Sequence, residues 1–279
     1  MQDGSYQELI DELEEWRSSG LTPRLWLRDD DVTAPSAELD MLLALTQDHA
    51  IPVVLAAIPK PASEALRARL EDIDAVRIAT HGWSHDNHAP DGEYKQELGL
   101  YRGLNIVVEE LTRGVTKLRQ LFGEKLSALL VPPWNNIDDR LLPHLNGIGF
   151  QAVSVLGSRL TNKRTTDLAV TNVHLDIIDW ETLRCHDEAR LVKELSRELR
   201  KKREGDKGPI GILTHHLVHD DAAWQFLVRL FEVTQKREGC RWIDGDELMQ
   251  SAIARAAKPV TPEATSAPST GQEESPVAH

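Results

Sequence analysis

Short apolar runs alternate along this chain with longer helical patterns, and that alternation constrains the fold more than any other feature. Strands that alternate with helices of this length indicate parallel pairing through crossover helices. Six or seven such units (roughly one per predicted strand) favour an α/β barrel over an open sheet. The candidate strands are RLWLR (24–28), VVLAAI (53–58), VRIAT (76–80), ALLVP (128–132), AVSVL (152–156), NVHLDII (172–178) and IGILT (210–214).

The helical patterns between these strands divide the chain into one folded domain and a tail. They cover residues 36–49, about Glu93 to Phe122, 188–204 and 221–238. The second ends at Gly123, a residue type that commonly stops helices. From Lys258 onward the chain is rich in Pro, Ser, Thr and Glu, a composition typical of disorder. We therefore predict a single domain over residues 5–257 and a disordered tail over 258–279.

Charge and composition exclude several classes of partner. The formal net charge is -13, which argues against nucleic acid and anionic membranes. The N-terminal sequence lacks the basic and apolar regions of a secretory signal, and no apolar stretch approaches the roughly 18 residues of a membrane span. Cys185 and Cys240 show no CxxC spacing and are predicted to be reduced. These features predict a soluble cytoplasmic protein, and they do not predict an oligomeric state.

Polar and aromatic side chains follow five of the predicted strands. In a β/α barrel the carboxyl ends of the strands meet at one face, so distant residues converge there. The clusters are Asp29-Asp30-Asp31, His81 to His85, Pro133 to Asn136, Asp179-Trp180 and His215-His216.

Each cluster taken alone also has a purely structural interpretation. The acidic run is typical of a solvated turn or a helix cap shared with Thr33 or Ser36. His81 and His85 fit an exposed turn, consecutive prolines fit a rigid loop, and tryptophans such as Trp83 and Trp180 are usually core residues. The segment THHLVHD fits a helix start near Asp220. Only the joint placement of the clusters favours chemistry.

That chemistry is metal-assisted hydrolysis. Two imidazoles and one carboxylate form a common three-ligand catalytic Zn²⁺ site, with positions left for water and substrate. Such a metal lowers the pKa of water and polarises a carbonyl. A second carboxylate could take the proton of the attacking water, and a separate histidine could protonate the leaving group.

The five clusters, in this order, resemble the motifs of the polysaccharide deacetylase family, the NodB-like carbohydrate esterases. The resemblance spans residues 24–216 and implies a distorted β/α barrel with about seven strands. The matching residues are Asp30-Asp31, HGWSH (81–85), Pro132-Pro133-Trp134, Asp179-Trp180 and Leu213-Thr214-His215.

The resemblance also implies a role for each matched residue. Asp31, His81 and His85 would bind one divalent metal, zinc first and cobalt, nickel or manganese as alternatives. Asp30 would be the general base and His215 the general acid. The backbone N–H near Trp134, in the Pro133 loop, would stabilise the oxyanion, and Trp180 of the Asp179-Trp180 motif would wall the acyl pocket. The implied reaction hydrolyses an N-acetyl amide to acetate and an amine.

Several residues depart from the family pattern. The third aspartate leaves the acidic pair open between Asp30-Asp31 and Asp29-Asp30. Val131 replaces the arginine that normally pairs with the catalytic aspartate, and Arg28 could substitute for it. Asn135 replaces a glycine. Two extra histidines, His88 and His216, are alternative ligands or acids, and His219 has no assigned role.

Three functions therefore stay open. The first is a metal-dependent deacetylase of a saccharide. The second is a C–N hydrolase of a non-sugar amide, as in allantoinase-like branches of the same fold. The third is a catalytically silent barrel that binds a metal or sugar.

Overall fold

A computed structural model describes residues 6–158, 160–161, 168–235 and 240–257. The predicted domain start at residue 5 and the predicted tail, 258–279, lie outside the described residues. The strands are β1 (Arg24–Val32), β2 (Val53–Ala57), β3 (Val76–His81), β4 (Leu126–Val131), β5 (Ala152–Val153), β6 (Ala169–Val170), β7 (Val173–Asp176), β8 (Ile178–Asp179), β9 (Arg184–Cys185), β10 (Ile210–Thr214) and β11 (Arg241–Trp242). The α-helices are α1 (Gln7–Ser18), α2 (Ala37–Asp48), α3 (Glu64–Leu70), α4 (Leu104–Phe122), α5 (Leu145–Ile148), α6 (Glu188–Glu204), α7 (Asp221–Gln235) and α8 (Gly245–Ala256).

Eight parallel strands curl into a distorted barrel. The sheet order is β6-β5-β4-β3-β2-β1-β10-β7, and β11 pairs with β1. A parallel bridge from Leu156, just after β5, to Val173 of β7 links the two sides of the curled sheet. The predicted fold class, a distorted β/α barrel of about seven parallel strands, is confirmed.

The alternation of side chains along each strand separates an interior from an exterior layer. Leu25 and Leu27 of β1 pack outward with the surrounding helices, whereas Trp26 packs inward with small residues such as Ala56 and Ala79. Gly211 of β10 is required inside, because a Cβ there would lie 2.6 Å from the Trp26 ring. The barrel interior is therefore narrow and filled.

Helix α8 covers the amino ends of the strands. Its Leu248, Met249 and Ala252 belong to the interior cluster, and a Cβ on Gly245 would press on Val54 and Arg77 near the starts of β2 and β3. The carboxyl ends of the strands remain open, which is where the predicted site residues fall. In the described part of the chain, no helix combines the length and the apolar character that a membrane crossing needs.

Two sequence predictions about elements were wrong. The helix predicted from Glu93 begins only at Leu104, because Gly103 has φ +88° and the preceding residues form a loop and a short 3-10 turn. The acidic run was predicted to follow the first strand, but β1 extends through it to Val32. Buried hydrogen bonds of Asp29 and Asp30 take the place of the apolar contacts that are typical of a strand.

Candidate active site and metal centre

A bulge in β1 brings two consecutive carboxylates to the open end of the barrel. Successive side chains of a regular strand point to opposite faces, so Asp30 shares the inward face of Arg28 while Asp29 points outward. The pairing of β1 with β2 shifts register between Asp29 and Val32, and Asp31 adopts φ +70°. This irregularity lets Asp31 join Asp30 in one cavity of about 680 Å³.

Asp31, His81 and His85 form a cluster with the composition of a metal site. One ligand atom from each lies within 4.8 Å of the others. His81 Nε2 is 3.1 Å and His85 Nε2 is 3.3 Å from the same oxygen, Asp31 Oδ1. Among the described residues this is the one group of three or more such side chains with this spacing.

The hydrogen bonding of His81 tests whether the cluster fits a cation. His81 Nδ1 donates to the carbonyl of Val131 at 2.9 Å, because a carbonyl only accepts, so Nδ1 carries the proton of the neutral ring. The unprotonated Nε2 then faces the acceptor oxygen of Asp31. Two acceptors at this distance need a shared proton or a bound cation between them. The donor set therefore fits a divalent metal.

Electrostatics within the cluster follow from this closeness. Burial raises the pKa of Asp31, but the close contact with His81 and the nearby His81 and His85 rings outweigh it and hold that pKa well below its usual range. Burial lowers the pKa of His81, yet Asp31 and Asp30 raise it overall. Burial and the neighbouring His81 lower the pKa of His85. The cluster thus keeps an ionised carboxylate beside its histidines.

Asp30 is held by Arg28 on the inner face of β1. Arg28 Nη2 donates to Asp30 Oδ2 at 2.9 Å, and the two side chains are 0% and 2% exposed. The same guanidinium donates to Asn135 Oδ1 at 2.7 Å and to Ser154 Oγ at 2.8 Å. Arg28 therefore pairs with Asp30, as expected of a substitute for the arginine that is absent at Val131. Asp30 Oδ1 is buried without a hydrogen-bond partner among the described residues, so it is free to accept a proton.

His215 lies on the other side of the cavity with Trp180 and Asp176. The Trp180 and His215 rings meet edge to face at 4.6 Å, and Trp180 Nε1 donates to Asp176 Oδ2 at 2.9 Å. Burial raises the pKa of Asp176, and the charge of His215 offsets part of that effect. His215 Nδ1 is buried without a partner among the residues the structure describes. The arrangement presents a histidine for proton transfer.

The structure brings seven predicted site residues to the cavity and leaves two outside its lining. Asp30, Asp31, His81, His85, Trp134, Trp180 and His215 line it. Asp179 lies outside the cavity lining and instead accepts from the backbone N–H of Glu181 at 3.0 Å in the β8–β9 turn. Pro133 lies behind the cavity, where a Cβ on Gly82 would reach its ring at 2.7 Å.

Sequence reasoning missed Lys95, Leu156, Asp176 and Leu183, which also line the cavity. Asp176 had a usable signal, because it is the last residue of β7 and so lies at the open end of the barrel. Lys95 and Leu183 lie in loops and do not follow directly after a predicted strand, so the sequence gives no comparable signal for them. Asn135, noted only as a departure from the family, lines the cavity and binds Arg28.

The extra histidines fall outside the cavity lining. Asp29 and His216 are fully buried and bind each other at 2.5 Å between Oδ1 and Nδ1, and His219 packs on the Trp224 ring at 4.4 Å. His88 donates its backbone N–H to the carbonyl of Gln96. The acidic pair at the cavity is therefore Asp30-Asp31, and neither His88 nor His216 joins it.

Unusual backbone conformations concentrate at the cavity. Six described non-glycine residues have positive φ, and five of them line it: Asp31, His85, Trp134, Asn135 and Leu183, at 53–70°. Such conformations cost of order 1–3 kcal/mol each and persist where the surrounding structure enforces them. Their clustering marks this cavity as the functional site without reference to any family.

Comparisons with known proteins agree on the architecture. No family model matches the sequence, and no curated protein matches it. The structure resembles a candidate polysaccharide deacetylase from Mycobacterium smegmatis, with 15% identity, 87% of this chain and 94% of the other covered, and a TM-score of 0.62. It also resembles a family 4 carbohydrate esterase from Streptomyces lividans solved with acetate (16% identity, 83% and 95% covered, TM-score 0.54).

A third similar structure is a mutant of a family 4 pseudoenzyme, with 14% identity, 82% of this chain and 67% of the other covered, and a TM-score of 0.53. Identities this low establish a common architecture, and the presence of a pseudoenzyme shows that this architecture does not fix activity. The chain has the fold of the NodB-like polysaccharide deacetylases and family 4 carbohydrate esterases.

Proposed function

We propose that this protein is a metal-dependent amide hydrolase that removes an N-acetyl group from a soluble saccharide. One observation carries the proposal: a three-residue metal cluster, a carboxylate with a free oxygen and a histidine border the same cavity. A divalent cation on Asp31, His81 and His85, zinc in our proposal, would polarise the amide carbonyl and make water more acidic.

The protein's own groups would divide the proton transfers. Asp30 accepts a proton from the attacking water at Oδ1, while Arg28 keeps its other oxygen occupied. His215 donates a proton to the departing amine, with Asp176 and Trp180 beside it. The backbone N–H near Trp134, a residue with φ +53°, would stabilise the oxyanion. Trp134 and Trp180 offer aromatic faces to a sugar ring.

A non-sugar amide is the second candidate substrate, and two side chains favour it. Leu156 and Leu183 are 36% and 56% exposed and line the cavity. They offer apolar surface to a substrate and no hydrogen bonds, whereas a saccharide presents many hydroxyl groups. The net charge of -13 supports a neutral or cationic small molecule over an anionic polymer in either case.

Acetate and ammonia detection over a panel of N-acetylated sugars, nucleotide sugars and small amides tests the proposal. We expect turnover with zinc-loaded protein and a loss of at least roughly 100-fold in Asp30→Asn at unchanged metal content. Asp179→Asn is the matched control, because that carboxylate lies outside the cavity lining. Metal binding without turnover on any panel member would favour the silent barrel.

A further inference from the structure

Two departures from the family pattern bind each other in this fold. The third aspartate, Asp29, lies on β1, and the extra histidine, His216, directly follows the paired strand β10. Both side chains are fully buried. Neither lines the cavity, and the proton transfers proposed above use neither. Burying a carboxylate costs free energy, and the proposed chemistry does not account for this one, so the pair requires another explanation.

Three hydrogen bonds converge on the Asp29 carboxylate. His216 Nδ1 lies 2.5 Å from Oδ1, and the His216 backbone N–H donates to Oδ2 at 2.9 Å. Thr214 Oγ1 donates to Oδ2 at 2.7 Å. We refer to Asp29, Thr214 and His216 with these bonds as the Asp29 clasp.

The clasp joins Asp29 to Thr214 and His216, the two chain neighbours of the candidate acid His215. His215 lies between Thr214 and His216, and Asp29 directly precedes the candidate base, Asp30. Backbone pairing of β1 with β10 ends at Asp29 and Thr214, so His215 lies beyond the last rung of the ladder. Without the clasp, the segment carrying His215 would be tied to β1 only through the strand that ends before it.

We propose that Asp29 and His216 are positioning residues that fix the His215 segment relative to Asp30. This inference rests on the proposed function, because it gives the clasp a role in the same proton transfers. The clasp residues lie outside the cavity lining and do not belong to the metal cluster. The clasp therefore affects turnover through geometry, to which catalytic steps are sensitive at about 1 Å.

The test combines hydrogen exchange with steady-state kinetics on the full chain. Asp29→Asn leaves one carbonyl oxygen for three donors, and His216→Ala removes the ring. His216→Asn retains a donor near the Nδ1 position and serves as the conservative variant. Glu12→Gln is the matched control, since Glu12 is 2% exposed and binds Arg203 at 2.7 Å on the α1–α6 surface.

We expect faster amide exchange over residues 214–216 in Asp29→Asn and His216→Ala, by about 10-fold or more, and unchanged exchange over residues 76–85. In an active enzyme kcat falls about 10- to 100-fold, with KM within about twofold and zinc content unchanged. His216→Asn recovers most of both effects, and Glu12→Gln shows neither.

Unchanged exchange over 214–216 would overturn the clasp. If the clasp variants exchange faster but have the same kcat as Glu12→Gln, the clasp is only a stabilising contact, and the inference is refuted. If wild-type protein turns over no substrate, the proposed function fails on its own, and exchange with recovery in His216→Asn still decides whether the clasp orders the His215 segment.

Discussion

Replacing Arg28 by methionine should destabilise the protein far more than an ordinary single substitution. The guanidinium is 0% exposed and bound to Asp30, Asn135 and Ser154 at 2.7–2.9 Å. Methionine is unbranched, has a comparable side-chain volume and carries no charge. The substitution therefore leaves Asp30 as a buried carboxylate without a cation.

The geometry sets the magnitude. Unit charges about 4 Å apart attract by about 4 kcal/mol at an effective dielectric constant of about 20. In the intact pair, much of this attraction only offsets the desolvation cost of the two charges. When Arg28 is removed, the desolvation cost of the Asp30 carboxylate is no longer offset. Breaking a buried pair in this way costs about 3–5 kcal/mol. At roughly 2–4 °C per kcal/mol for a domain of this size, the melting temperature should fall by about 6–20 °C.

Urea unfolding of a double-mutant cycle measures the coupling. The cycle compares wild type, Arg28→Met, Asp30→Asn and the double variant, followed by tryptophan fluorescence. We expect the double variant to be more stable than the sum of the single effects predicts, by at least about 1.5 kcal/mol. Single effects that add to within about 0.5 kcal/mol would refute the assignment of Arg28 as the counter-ion of Asp30.

Two further predictions concern other buried groups. Glu97 is fully buried and accepts hydrogen bonds from Ser84 N at 2.7 Å, Ser84 Oγ at 3.1 Å and Trp83 N at 3.2 Å, so Glu97→Ala should loosen the loop that carries His85. Zinc affinity should fall about 10- to 100-fold in a competition titration, while Glu93→Ala, exposed in the same segment, should match wild type. Burial, with Lys202, lowers the pKa of His174 to about 4, and its Nδ1 accepts from Gly211 N–H at 3.1 Å. This pKa lies below the value of about 6.5 in the unfolded chain, so the neutral His174 ring contributes its full stabilisation above pH 6.5. That contribution to the free energy of unfolding should decrease as the pH drops toward 4, by up to about 3 kcal/mol. His174→Asn keeps an acceptor and should remove this pH dependence. A decrease in urea midpoint from pH 7 to pH 4.5 that is the same in the variant and in wild type would contradict the prediction.

The barrel and the place of the candidate site could be predicted because both depend on simple periodicities. Apolar strands flanked by helices specify parallel pairing, and parallel pairing places every strand's carboxyl end on one face. The segment IGILT forms β10 over the predicted residues, and the pattern at 188–204 forms α6. These elements required only local composition.

The orientation of individual side chains could not be predicted in this way. Three consecutive aspartates give no sign of which one faces the cavity, because the answer depends on a bulge between Asp29 and Val32. Asp176 lines the cavity and Asp179 does not, because β7 ends at Asp176, whereas Asp179 lies in the next hairpin. The contacts of Arg28 with Asn135 and Ser154 join residues more than 100 positions apart.

The central claim is that Asp31, His81 and His85 hold a divalent metal. The most direct test is elemental mass spectrometry of tag-free protein after zinc loading and gel filtration, beside His81→Ala/His85→Ala and the matched control His88→Ala. About one zinc per chain is expected in wild type and in His88→Ala, with none in the double variant. Wild-type protein that retains no metal, or a double variant that retains as much as wild type, would contradict the account.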